Sequence, residues 1–371
     1  IEGYLLLQDI DLQPHSRFVK GMAQYLADDT NGALRTLRHA AQDSSVRELQ
    51  LFSIYWDAYL NVALGRYAEA THVFRLGEEN LSERSMERVE FERMVDDAKF
   101  FTLAVDRADA GPLERLKAVA PLLIDLEKVS DDLHTEDTDA RTRTSREIAD
   151  TRGDLLSWVA YQSDHLYEPL PTSAVLAASE LDLRAETLRG DGTASIKSVE
   201  VSGKLDNNDL SDGAIRAWAL IQAQIIYNGE HNEGIPDLTL AFGKAECDFM
   251  LGSTRDDAGI AAYRIVERKA IEELGGHREQ RKSVELAQVV LVCACRLLHL
   301  SSRATDVGES QVRNEETEVK NAHLRVQEGL AEMRDHKLTI NSTLQRRPLN
   351  RSDFAQETQA IVDQAFRQSH G

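Results

Sequence analysis

The segment from residue 51 to residue 81, LFSIYWDAYLNVALGRYAEATHVFRLGEENL, constrains the fold more than any other part of the sequence. Apolar side chains recur at helical spacing on both sides of Gly65, and glycine readily adopts the left-handed conformation that ends a helix. Ala70 and Gly77 are small enough to let a paired helix approach closely, and Phe74 fills the space between them. The segment therefore predicts two short antiparallel helices, with Ala70 fully buried between them.

An earlier segment, residues 14–41, shows a similar pattern. Gly21 lies on its first predicted helix, a polar turn follows at residues 28–31, and Ala33 falls on its second helix. Ala33 and Ala70 are 37 residues apart, which is one helical repeat of about 34 residues plus a few loop residues. Two matches in tandem at this spacing indicate a repeat.

The pattern in residues 51–81 resembles the tetratricopeptide repeat. It runs from a small residue through a Gly-x-Tyr turn to Ala-x3-Phe-x2-small. A weaker third match covers residues 213–241, where Trp218 precedes the turn at Gly229. The three matches together cover about a third of the chain. The resemblance implies an all-α protein, an α-solenoid of antiparallel helical hairpins stacked into a superhelix.

The composition along the chain predicts three parts. Helical hairpins occupy residues 1–188, a polar linker or insertion rich in Gly, Ser, Asp and Asn occupies 189–213, and further hairpins occupy 214–371. A helix is predicted from about residue 172 to residue 188, and we expect any β-strand to be limited to residues 189–213. The last helix, residues 354–367, is expected to be the terminal cap that a solenoid needs.

Charge and cysteine usage exclude several classes of ligand. The chain has 43 basic and 63 acidic residues and a net charge of −20, which repels nucleic acid phosphates and anionic membranes. No apolar run reaches the roughly 20 residues needed to cross a bilayer. The sparse cysteines, Cys247, Cys293 and Cys295, suit a reducing compartment, so a cytoplasmic location is predicted.

Sequence patterns that carry chemistry are not found. The sequence has no HExxH, GxGxxG or GxxxxGK[ST] motif. Cys293 and Cys295 are two residues apart, so on a helix their thiols point to different faces and predict no metal pair. We therefore expect no cofactor, no metal and no enzymatic activity.

The resemblance also implies where a partner would bind. In tetratricopeptide-repeat proteins the concave groove is lined by positions of the first helix of each pair. Transferring that register to this chain gives Phe18, Met22, Tyr25, Tyr55 and Tyr59 as the partner-binding residues. Such a lining predicts a peptide or helix of another protein with apolar or aromatic anchors and basic residues around them. The alternative is that each of these side chains packs beneath the next helix.

Family members that dock the acidic C-termini of chaperones hold the carboxylates with a clamp of Lys, Asn and Arg. The corresponding positions here are Phe18, Met22, Tyr55 and Tyr59, with no basic residue among them. We therefore predict that an acidic chaperone-tail peptide does not bind.

Three functions follow from these observations. The first is a protein–protein interaction scaffold or adaptor that holds a partner in the groove. The second is a regulatory sensor subunit whose helical repeats bind a peptide or effector and control an attached output domain. The chain could in that case be one subunit of a larger complex. The third is a helical enzyme with a site assembled from distant residues, which the absence of any catalytic spacing disfavours.

Overall fold

The structure is a computed structural model of the 371-residue chain. The described residues are 14–27, 29–43, 47–79, 86–131, 138–161, 168–179, 183–188, 195–201, 211–229, 237–253, 256–276, 279–304, 308–333, 335 and 337–370.

The described part of the chain is almost entirely α-helical. Its fourteen helices in chain order are α1 Pro14–Leu26, α2 Thr30–Asp43, α3 Arg47–Ala63, α4 Tyr67–Glu79, α5 Met86–Asp106, α6 Pro112–Asp131, α7 Thr138–Ala160, α8 Thr172–Ser179, α9 Asp212–Gly229, α10 Leu238–Met250, α11 Asp256–Gly276, α12 Gln280–Arg303, α13 Glu309–Glu332 and α14 Arg351–His370. Successive helices pack against their neighbours in sequence, as in a solenoid. The all-α, solenoid-like prediction is therefore confirmed.

Small side chains set the close approach of the N-terminal helices. A Cβ atom at Gly77 would lie 2.2 Å from the ring of Phe91 on α5, and one at Gly21 would lie 2.7 Å from the side chain of Leu37. Ala70 is fully buried on α4, as predicted. Gly65 has a φ of +72° in the turn between α3 and α4, which confirms the predicted left-handed position.

Two short antiparallel hairpins interrupt the helices. Strand β1 (Leu183–Leu188) pairs with β2 (Ser195–Val201), and β3 (Ile340–Asn341) pairs with β4 (Pro348–Leu349). The prediction that strands are limited to residues 189–213 is thus wrong at β1, β3 and β4.

The helix predicted to continue to residue 188 ends instead at Ser179. Strand β1 has the sequence LRAETL, which by itself favours a helix. Its partner β2, SIKSVEV, is rich in β-branched residues. Pairing between the two strands overrides the helix propensity of β1.

Helices from both sides of the predicted linker share hydrophobic cores. One core joins residues of α5, α6 and α7 with residues of α9 and α10, including Trp158 and Tyr227. Helix α7 contacts both α9 and α10. The ring of Tyr227 lies against Gly153 on α7 and Gly243 on α10, where an added Cβ would come within 2.3 and 2.4 Å of it. The proposed three-part division stays a prediction.

Helix α12 forms the centre of the C-terminal core. It packs against α11, α13 and α14, and every residue from Val284 to Ser301 is buried. It is long and apolar enough to meet a compositional test for a membrane span, but 94% of its most apolar window is buried inside the protein. Burial on all sides explains why its sequence is apolar nearly all round. The predicted capping helix, α14, covers α12 and α13.

Residues 338–350, which we call the connector, join α13 to α14 and contact distant helices through polar groups. The backbone amide of Thr339 donates to the carbonyl of Ala63 at the end of α3, at 2.8 Å. Asn341 and Thr343 donate their amides to the side chains of Glu285 and Gln288 on α12, at 2.9 and 2.8 Å.

The next residues of the connector reach α14 and α7. The Ser342 hydroxyl donates to Glu357 of α14 at 2.7 Å, and Gln288 donates to the same carboxylate at 3.0 Å. Arg346 forms a 3.0 Å ion pair with Asp154 of α7. The connector therefore links four helices that are far apart in sequence.

Candidate partner-binding surface

The predicted binding residues lie on two adjacent helices, α1 and α3, which contact each other and α2. Helical spacing puts Phe18, Met22 and Tyr25 on one side of α1, and Tyr55 and Tyr59 on one side of α3. The structure brings these five residues into one region but divides them among three environments.

The innermost part of this region is filled by the chain itself. The Tyr25 hydroxyl donates to Oε1 of Glu279 at 2.5 Å, and the Tyr59 hydroxyl donates to the same oxygen at 3.2 Å. The guanidinium of Arg281 lies 5.9 Å from the centre of the Tyr59 ring. We call Tyr25, Tyr59, Glu279 and Arg281 the inner groove. Its C-terminal residues come from the start of α12, so these two tyrosines bind an intramolecular partner.

Burial holds the two hydroxyls of the inner groove in their protonated form. It is the largest cause raising the pKa of Tyr25 and of Tyr59 well above the ordinary value, and the Glu279 carboxylate adds to both shifts. Protonated hydroxyls can donate hydrogen bonds to a carboxylate, which is the arrangement observed. The two hydrogen bonds to Glu279 therefore join α1 and α3 to the start of α12.

Tyr55 packs beneath neighbouring helices. Its ring makes edge contacts with Phe74 of α4 and Phe91 of α5, with centroids 6.0 and 6.1 Å apart. Burial raises the pKa of Tyr55 to about 12. The alternative given for each predicted residue, packing under the next helix, describes Tyr55.

The outer part of the region carries apolar side chains that face solvent. The members of this group, which we call the outer stripe, are Phe18, Val19, Met22 and Leu26 of α1 and Phe52 of α3. Val19 is 56% exposed, Leu26 64% and Phe52 60%, whereas Phe18 and Met22 are half-buried. The rings of Phe18 and Phe52 are 6.4 Å apart, which joins the two helices into one surface.

The sequence prediction missed the exposed members of the outer stripe and the residues that fill the inner groove. Val19 and Leu26 are seven residues apart, so their shared face was readable from helical periodicity. Glu279 and Arg281 lie more than 200 residues from their tyrosine partners, and no local pattern indicates such a contact.

No family model matches the sequence, and no curated protein matches it. What is established is a helical protein whose successive helices pack in order, an arrangement compatible with a helical repeat.

Proposed function

We propose that the chain is a tetratricopeptide-like interaction scaffold that binds a peptide or helix of another protein along the outer stripe. The observation that carries the proposal is the exposure of Val19, Leu26 and Phe52 on adjacent helices. Contiguous exposed apolar side chains mark interaction surfaces in proteins of this kind. The small residues that set the spacing of α1 to α5, at the positions expected for the repeat, support the family assignment.

The partner should offer apolar or aromatic anchors flanked by basic residues. An apolar helix face or an extended peptide with spaced anchors fits a surface built from two neighbouring helices. The net charge of −20 favours encounter with a basic partner and slows encounter with an acidic one. Met22 lies one helical turn from Phe18 and Leu26, and its flexible side chain can adapt to the shape of an anchor.

The proposal is tested by co-purification of the full-length protein from its native host, with a double variant, Val19→Asp and Phe52→Asp. Both side chains already face solvent, so we expect the fold to be kept. Loss of apolar hot spots costs about 1–2 kcal/mol or more each, so the recovered partner should fall at least about tenfold. Tyr55 is not a suitable target, because its truncation would disturb packing.

A matched control carries Ile225→Asp and Leu324→Asp, on α9 and α13. These side chains are 57% and 52% exposed, so the control adds the same charge at equally exposed apolar sites. Equal partner loss from both double variants, or full recovery with the Val19 and Phe52 variant, would contradict the proposal.

The sensor alternative stays a prediction. It requires a site for an effector separate from the outer stripe.

A further inference from the structure

Two aspartates of α7 share one arginine at the place where α7 meets α9, α10 and the connector. Asp150 and Asp154 are four residues apart on α7, so their carboxylates lie one helical turn apart on the same side of the helix. Arg346 of the connector forms its 3.0 Å ion pair with Oδ1 of Asp154. Two carboxylates therefore face a single guanidinium.

The two carboxylates are held differently. Oδ1 of Asp154 also accepts a hydrogen bond from the hydroxyl of Tyr227 on α9, at 3.3 Å, and the Asp154 side chain is 28% exposed. Oδ1 of Asp150 is buried and has no hydrogen-bond partner among the described residues. Because hydrogen bonds, an opposite charge and water all favour an ionised carboxyl group, the negative charge is better stabilised at Asp154 than at Asp150.

Charged and titratable groups of the surrounding helices also act on this cluster. In the described part of the chain they include Asp97 of α5, Tyr227 of α9, Asp237, Glu246 and Cys247 of α10, and Lys282 of α12. On the side of α6, Glu127 lies 3.8 Å from Arg152 of α7. Acidic groups thus outnumber basic ones around the aspartate pair.

Most of these neighbours are compensated by partners of their own. At distances of 2.6–2.9 Å, Asp97 pairs with Arg93, Glu246 with Arg296, and Asp237 with the backbone amide of Thr239. Burial raises the pKa of Cys247 to about 12, so its thiol is uncharged. Lys282 lies 3.8 Å from Glu285. Arg346 is therefore the cation that the aspartate pair depends on.

The excess of negative charge favours binding of a proton. Burial is the largest cause raising the pKa of Asp150, and the charge of Asp154 adds to it, while Arg346 and a hydrogen bond from Thr239 oppose the shift. Burial also raises the pKa of Asp154, and Arg346 opposes that shift. Because interacting carboxyl groups titrate together, the bound proton belongs to the pair.

We propose that Asp150 and Asp154 form a proton-controlled switch that fastens α7 to α10 and the connector. With one proton bound, the pair carries a single negative charge, which Arg346 neutralises. Loss of that proton as the pH rises leaves two negative charges beside one cation in a poorly solvated place. The repulsion is relieved when water reaches Asp150, which requires the first turn of α10 or the connector to move away from α7.

The switch acts on the N-terminal hairpins through the connector. The amide of Thr339 holds the carbonyl of Ala63 at the end of α3, so movement of the connector is transmitted to α3. Arg346 has a φ of +51°, a conformation that a residue other than glycine keeps only while its contacts hold it. Weaker contacts with α7 therefore favour release of this part of the connector.

The experiment compares hydrogen exchange of the whole chain, read by mass spectrometry, in the wild type and in Asp150→Asn at pH 5.5 and pH 9. Asparagine resembles the protonated acid and does not ionise. At pH 9 we expect residues 338–350 and the first turn of α10 to exchange at least about threefold faster in the wild type than in the variant. At pH 5.5 the two proteins should exchange equally. Comparing them at one pH removes the intrinsic effect of pH on exchange.

Urea unfolding measures the same linkage. A carboxyl group whose pKa is raised in the folded state contributes stability that is lost as the pH rises through that pKa. The unfolding free energy of Asp150→Asn minus that of the wild type should therefore increase from pH 5.5 to pH 9. The matched control is Asp106→Asn, which removes an exposed carboxylate at the end of α5. Its difference from the wild type should not change with pH.

A second variant, Asp154→Asn, decides the question if Asp150→Asn folds poorly. It also leaves one carboxylate for Arg346, so exchange of the connector relative to the Asp106→Asn protein should be the same at both pH values. The inference is overturned by equal exchange of the wild type and Asp150→Asn at pH 9, by a difference in unfolding free energy that does not change with pH, or by an equal change for Asp106→Asn. No residue of the outer stripe is involved, so this inference and the scaffold proposal fail separately.

Discussion

The N-terminal hairpins and the connector are stabilised by different kinds of interaction. In helices α1 to α5 the decisive contacts pair a glycine with a larger apolar side chain, as with Gly77 and Phe91 and with Gly21 and Leu37. In the connector they are between polar groups, with Glu357 accepting from Ser342 and Gln288.

The difference shows in the backbone as well. Arg346 of the connector has a φ of +51°, a conformation that costs a residue other than glycine about 1–3 kcal/mol. It is retained because its side chain is fixed between Asp154 and the ring of Phe242, 5.3 Å away. The hairpins use glycine at their left-handed position, Gly65, and carry no such strain.

This comparison indicates how each region should respond to change. When a buried apolar side chain changes in size, the loss of stability grows with the volume altered, and partial relaxation of the surrounding side chains reduces it. A buried polar network loses more when one member is removed, because the remaining partners are left charged or unsatisfied in a medium of low polarity. The connector should therefore be the more sensitive region.

The largest expected effect is that of Arg346→Ala. The change leaves Asp154 without its cation, and nearby Asp150 already has a pKa raised by burial and by the charge of Asp154. Breaking a fully buried pair by removing one partner costs about 3–5 kcal/mol. The Asp154 side chain is 28% exposed, so we expect a loss of about 3 kcal/mol, at the low end of that range. Urea unfolding monitored by circular dichroism measures the loss, and Arg325→Ala should change stability by less than about 0.5 kcal/mol. If Arg346→Ala lowers the unfolding free energy by as little as Arg325→Ala does, the connector is not the more sensitive region.

The next effect is that of Ala70→Leu in the hairpins. Ala70 has no exposed surface, so a larger side chain must displace α3 or α4, at a cost of about 1–3 kcal/mol. Ala68→Leu on the same helix is the control, because Ala68 is exposed. If thermal unfolding shows equal shifts for the two variants, the close approach of these helices is not what stabilises the hairpin.

A pH effect should distinguish the connector from the hairpin packing. Burial raises the pKa of Glu357, while its hydrogen bonds from Ser342 and Gln288 oppose the shift. A carboxyl group with a higher pKa in the folded state binds protons there first, so its folded form gains stability as the pH falls through that pKa. The unfolding free energy of the wild type minus that of Glu357→Gln should therefore increase from pH 8 to pH 5.

The corresponding control is Ala70→Leu, which changes no titratable group. The difference in unfolding free energy between this variant and the wild type should stay constant over the same pH range. If the difference between the wild type and Glu357→Gln also stays constant, Glu357 has the same pKa in the folded and unfolded states.

The smallest expected effect, none within detection, is that of an acidic chaperone-tail peptide. The tyrosine hydroxyls of the inner groove already bind the carboxylate of Glu279, and the net charge of −20 opposes an acidic ligand. Fluorescence anisotropy of a labelled peptide should show no saturable change. Binding in the micromolar range would mean that the start of α12 can leave the groove.

The parts that could be predicted from sequence are those determined by neighbours along the chain. Gly65, Ala70 and Gly77 identify a helix pair because the residues that must fit together are within one repeat. Helix α12 was recognisable from its continuous apolar sequence. The location of β1 was not, because a strand depends on its partner, and LRAETL by itself favours a helix.

The inner groove could not be predicted because its residues meet only in the folded chain. The role of Glu279 depends on Tyr25 and Tyr59, which lie more than 200 residues away. The five predicted groove positions therefore did not reveal which of them face solvent.

The contacts between the ends of the described chain bear on the order in which it folds during synthesis. Tyr25 bonds to a residue 254 positions later, and Thr339 bonds to Ala63 across a separation of 276. A ribosome that adds about 5–20 residues per second needs roughly ten to fifty seconds to make the intervening chain. The first hairpins can pair within milliseconds of emerging, but they wait for that interval with both tyrosine hydroxyls in water. The nascent protein thus passes through a stage in which its N-terminal groove is open and its C-terminal half is not yet made.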